Sequence, residues 1–139
     1  MRRAFSAIEL TIVVGILCVL SAIAMPAVTR LLDRVRVRAA VTEIESLFAT
    51  ARHAAIARGS PASVEIDTAG RSISVTLDRD TLRKGMLGKE HGIELATNRS
   101  SMTYSPTGVG YGAANLSVVV RRSAVADTVV VSRLGRVRH

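Results

Sequence analysis

Residues 4–30 read AFSAIELTIVVGILCVLSAIAMPAVTR. From Leu10 to Thr29 there is no charged side chain, and Ile, Val, Leu and Ala dominate. A helix rises about 1.5 Å per residue, so a run of this length covers the roughly 30 Å hydrocarbon core of a bilayer. One charge, Glu9, stands near its start, where a carboxylate in lipid needs a partner or a purpose. Arg2 and Arg3 lie just ahead of it. Pro26 lacks a backbone donor, which predicts a kink or a local loosening.

On pattern alone two other readings fit this segment. Arg2 and Arg3, the apolar run and Ala22-Ile23-Ala24 match a secretory signal peptide with an A-x-A cleavage site. Glu9 at the start of the run weakens that match, and helical patterning continues past the cut. A plain single-pass anchor is the other. Arg30, Arg34, Arg36 and Arg38 on the far side outnumber Arg2 and Arg3, which runs against an N-inside orientation by charge bias.

Working outward, the helix becomes amphipathic. Leu31, Val35, Val37, Ala40, Val41, Ile44, Leu47, Phe48, Ala51 and Ala55 recur mostly at three- and four-residue steps. Arg30, Arg34 and Arg38 share another face. Arg58, Gly59 and Pro61 form a stop signal, so one helix over 5–58 is expected, about 80 Å long. Beyond it the period changes to two. Residues 62–68 and 71–78 alternate about an Ala69-Gly70 turn and predict a β-hairpin. Residues 78–92 read as a polar loop. Residues 92–95 and 102–105 are short strand candidates, 106–112 is turn-rich, and 116–122 and 128–133 are β-branched strands.

The 139 residues suit one domain plus an anchor helix. Aromatic residues make up only 3%, so the core must come from Val, Ile, Leu and Ala. The net charge of +8 favours anionic partners: nucleic acid, lipid head groups or an acidic protein surface. Cys18 is the single cysteine and lies in the apolar run, which excludes an intrachain disulfide or a thiolate metal cluster.

The N-terminus resembles that of type IV pilins and of type II secretion pseudopilins. The residues that carry the likeness are a short basic leader, Met1-Arg2-Arg3-Ala4, then Phe5, then Glu9 as the fifth residue from Phe5, the long apolar run, and Pro26. Ala4 stands where the family usually has Gly, and Phe5-Ser6-Ala7-Ile8-Glu9 where it usually has Phe-Thr-Leu-Ile-Glu. The resemblance implies that a prepilin peptidase cuts between Ala4 and Phe5 and that the new amine is methylated. It also implies a role for Glu9 in assembly, as a carboxylate that neutralises the amine of a neighbouring subunit when helices stagger in a filament. A glutamate that merely reaches the membrane interface is the plainer alternative.

Two later stretches resemble the GspH/FimT branch of that family. Residues 49–61 contain Ala51-Arg52 and end in Arg58-Gly59-Ser60-Pro61, like the branch's A-R-x-x-A-x-x-R-G-x-P. Tyr104-Ser105-Pro106-Thr107-Gly108 and the final Gly135-Arg136-Val137-Arg138 resemble its C-terminal half. The implied architecture is α+β and pilin-like, a long N-terminal helix packed on an antiparallel sheet domain. The implied division is a leader over 1–4, a transmembrane or filament-core helix over 5–30, its amphipathic second half over 31–58, and a periplasmic β-rich domain over 59–139. Other pilins or pseudopilins, the peptidase and the inner membrane are the implied partners.

No catalytic constellation is present. His53, His91 and His139 are scattered without metal-ligand spacing, and no H-E-x-x-H or G-x-S-x-G occurs. Gly108-x-Gly110-x-Gly112 is followed by strand-like sequence and has no Walker lysine, so it reads as a loop between strands. A non-enzyme without cofactor, metal or small-molecule substrate is expected. The basic tail remains: Arg133, Arg136, Arg138 and His139, with Arg121 and Arg122 as possible neighbours. Alternation in Arg-Val-Arg places two guanidinium groups on one strand face, and arginine pairs with phosphate in a bidentate fork. In the FimT branch the matching arginines are implicated in DNA binding, which makes Arg136 and Arg138 candidate DNA contacts. Ion pairing with acidic groups of this or a neighbouring subunit is the alternative.

Overall fold

Between Ser6 and Arg58 the chain offers helix formers broken only by Pro26 and an isolated Gly15, and one helix results. The computed structural model describes residues 6–111 and 115–138. Helix α1 spans Ala7–Arg58 and continues through Pro26. It ends at Gly59, whose φ of +62° is the left-handed conformation that closes a helix without Cβ strain. The chain divides into two compact units, Met1–Leu32 and Asp33–His139.

In the first unit every large apolar side chain described is exposed, from Ile8 at 70% to Val13 at 45%. In the second unit α1 buries one stripe: Val37, Ala40, Val41, Ile44, Leu47, Phe48, Ala51 and Ala55. These positions fall on one face of a 3.6-residue period. Leu31 and Val35, which the periodicity assigns to the same stripe, are exposed at 58% and 57%. The packed face thus begins at Val37.

The strands are β1 (Ala62–Asp67), β2 (Ser72–Leu77), β3 (Asp80–Gly85), β4 (Glu94–Thr97), β5 (Ser101–Tyr104), β6 (Gly110–Tyr111), β7 (Leu116–Arg122), β8 (Val125–Val131) and β9 (Val137–Arg138), with a short helix α2 (Leu87–His91) between β3 and β4. They form two antiparallel sheets, ordered β3-β2-β1-β5-β6 and β4-β7-β8-β9. The β1–β2 hairpin pairs Val64 with Val75 and Ile66 with Ile73, placing four apolar side chains on one face. One core joins the α1 stripe to Val64, Ile73, Tyr104, Val118, Val129 and their neighbours from both sheets.

The polar stretch 78–92 is not a loop. It holds β3 and α2. β3 is an edge strand, DTLRKG, exposed except at Gly85, so no apolar alternation marks it. Its pairing with β2 skips Leu82, a bulge that with Arg83 and Lys84 blunts an open sheet edge. Asp78 and Arg79, both with positive φ, make the two-residue turn into it. The expected strand over 92–95 is shifted to β4, and the turn-rich stretch 106–112 contains β6.

Candidate functional site

The three downstream stretches of the sequence likeness meet in space. Gly108 (φ +80°) and Gly135 (φ +75°) each need the left-handed conformation and each pack against Arg52. A Cβ on Gly135 would lie 3.1 Å from the Gly108 carbonyl oxygen, 3.1 Å from Tyr104 Cε1 and 3.4 Å from Arg52 Cδ. A Cβ on Gly108 would lie 2.8 Å from Ile56 Cδ1 and 3.2 Å from Arg52 Nε. Ordinary side chains at either position would separate the two turns from α1.

Hydrogen bonds fix both turns. Gly108 N–H donates to the Ser105 carbonyl (2.8 Å), and Val109 N–H donates to Ser105 Oγ (3.2 Å). Gly135 N–H donates to the Ser132 carbonyl (2.8 Å), and Arg136 N–H donates to Ser132 Oγ (3.1 Å). Gly110 N–H donates to the Arg133 carbonyl at 3.0 Å and ties one turn to the other. Beneath them Tyr104 is fully buried. Among the described residues neither Tyr104 Oη nor the buried Arg52 Nε has a hydrogen-bond partner. Burial pushes the Tyr104 phenol up to about 12, against the opposing effect of the Arg52 charge.

This frame carries the basic tail. β9 pairs with β8 through Val131–Val137 and Val130–Arg138. Val137 is half-buried and packs on the core, while Arg136 and Arg138 on either side are exposed, as is Arg133. Arg121 is exposed as well. Arg122 is not part of this basic surface. Its Nε donates to Asp33 Oδ1 at 2.6 Å, and its Nη1 donates to the His91 and Gly92 carbonyls at 2.7 and 2.8 Å. The hydrogen bond from Arg122 holds the Asp33 carboxyl below the ordinary carboxylate range, although burial opposes it.

A second polar link lies nearby in sequence: His91 Nε2 sits 2.7 Å from Glu43 Oε2. Neither link has a local sequence signal, because one partner comes from α1 and the other from α2 or β7. His53 projects from the exposed side of α1. Glu9 is exposed in the first turn of α1, where a carboxylate favours the positive end of the helix dipole. Ala4, Phe5 and His139 lie outside the described residues.

Comparison with known proteins agrees with this geometry. No curated protein matches the sequence significantly. Among solved structures, the type IV minor pilin FimU of Pseudomonas aeruginosa superimposes with a TM-score of 0.64 at 14% identity, covering 76% of this chain and 89% of that one. The minor pseudopilin EpsH of the Vibrio cholerae type 2 secretion system superimposes with a TM-score of 0.58 at 13% identity, covering 74% of this chain and 94% of that one. At such identities the likeness shows the fold: a long N-terminal helix packed on an antiparallel β domain. The sequence profile of the family described as type II transport protein GspH matches residues 40–135, from the packed half of α1 to the C-terminal glycine turn. The chain therefore belongs to the GspH family of pilin-like proteins.

Proposed function

We propose that the chain is a minor, H-like pseudopilin of a type II protein secretion system, a structural subunit without catalytic activity. The observation that carries this reading is the uncovered apolar segment of α1. It is long and apolar enough to cross a membrane, and its large side chains are all exposed, so some other apolar phase must cover them. Before assembly that phase is the inner membrane, crossed once with the β-rich part periplasmic. After assembly it is the bundle of neighbouring helices in the filament. In this reading the prepilin peptidase cuts before Phe5, the amine is methylated, and Glu9 neutralises the amine of a neighbouring subunit.

Exposure of Arg136 and Arg138 on either side of half-buried Val137 favours a second reading, a FimT-like minor pilin that binds DNA for uptake. Such binding would be directed at the phosphate backbone and steeply salt-dependent. One strain set separates the two. In a deletion strain, the wild-type chain and the Arg136→Ala/Arg138→Ala chain should both restore secretion, and Glu9→Ala should not. A deletion strain that secretes normally but no longer takes up DNA, and regains uptake only with both arginines present, would move the DNA reading ahead.

A further inference from the structure

We propose that Glu43, Glu90 and His91 form a binding site for a divalent transition-metal ion with the ligand preferences of zinc. One ligand atom from each residue lies within 4.8 Å of the other two. Zinc bonds to imidazole nitrogen and carboxylate oxygen are about 2.1 Å long, which places tetrahedral ligand atoms roughly 3.4 Å apart. The observed separations exceed that spacing by at most about 1.4 Å, and water would complete the shell. One imidazole and two carboxylates suit zinc and its neighbours, whereas calcium and magnesium take six or more oxygens.

Two of the three ligands are held in place by their surroundings. Glu43 is half-buried on the packed half of α1, and Gly85 leaves room for its carboxylate: a Cβ there would stand 2.7 Å from Glu43 Oε1. His91 ends α2, which buried Leu87 pins to the core. The His91 carbonyl accepts a hydrogen bond from Arg122, itself tied to Asp33. Glu43 and His91 already meet at 2.7 Å, so the ion would replace the hydrogen bond between them. Glu90 is the discriminating member. A simple Glu43–His91 hydrogen bond has no need of it, whereas a metal ion requires a third anchor. Bound metal would clamp α2 to α1 whatever the chain's place in a filament or membrane.

The test uses the full chain in detergent, without a histidine tag and stripped with EDTA, titrated with zinc chloride by calorimetry. One zinc per chain is expected, and Glu90→Gln and His91→Gln should each weaken binding at least about 10-fold. The parent's thermal midpoint should rise with zinc and not with magnesium. Because Glu90 is exposed, Glu90→Gln should unfold at the parent's midpoint without metal, and it decides the matter even if His91→Gln folds poorly. Failure to take up zinc, or uptake that Glu90→Gln leaves unchanged, overturns the proposal.

Discussion

The two halves of α1 are built from similar residues and meet opposite fates. From Ile8 to Leu32 the apolar side chains cover the whole circumference and are all exposed. From Val37 to Ala55 the large ones occupy one face and are buried, while Arg38 and His53 take the others. Hydrophobicity alone does not make a core. A stripe can be satisfied by a two-sheet domain in the same chain, but an all-round apolar helix can be satisfied only by something outside it. The first half is a request for a partner, and the second has found one.

Substitution should expose this contrast most strongly in the packed half. Phe48→Ala should cost about 3–5 kcal/mol in denaturant unfolding in detergent, because it opens a cavity in a closed core. Leu17→Ala, of comparable chemistry in the uncovered half, should stay within about 0.5 kcal/mol in the same assay. Equal losses would mean that the first half also packs within the chain.

The Asp33–Arg122 pair, inside the second unit, gives a smaller, pH-dependent effect. With the Asp33 carboxyl held low by Arg122, the unfolded chain takes up the proton first as the medium is acidified. The stabilisation is therefore complete above the ordinary carboxylate value of about 4 and declines as the pH falls through the folded value. Arg122→Ala should lower the unfolding midpoint less than Phe48→Ala does and should flatten this acid limb.

The smallest effect belongs to Tyr104→Phe. It removes a buried hydroxyl that has no described partner, so stability should stay within about 1 kcal/mol of the parent or rise slightly. The phenol titrates near 12 in the fold against about 10 when free, so the parent should lose stability between those values as the unfolded chain ionises first. The variant should lack that alkaline loss. A large destabilisation would reveal a hydrogen-bond partner for the hydroxyl.

Much of this was legible in the sequence because its signals are local and periodic. The helix stop at Gly59, the β1–β2 hairpin and the buried positions from Val37 onward follow from spacing and from turn residues. β3 and α2 were not legible, since Asp80–Gly85 lacks apolar alternation and Leu87–His91 has no side-chain cap. By sequence Arg122 reads as a neighbour of the tail arginines, because composition cannot show that its partner, Asp33, lies on the helix. The Glu43–His91 link was hidden for the same reason: its partners lie 48 residues apart in the sequence. Glycines 108 and 135 were visible as motif members, but their joint contact with Arg52 is a product of the fold.

The core that joins Val37 to Val131 also sets a schedule. Helix α1 is synthesised before every strand described, yet its apolar face is complete only when β7 and β8 have arrived. Loop closures over that range are slow, and apolar surface left waiting invites aggregation. Until β8 is in place, the face that starts at Val37 is only partly covered. The distinction between the two halves is absent when the helix is made and is complete only with that strand.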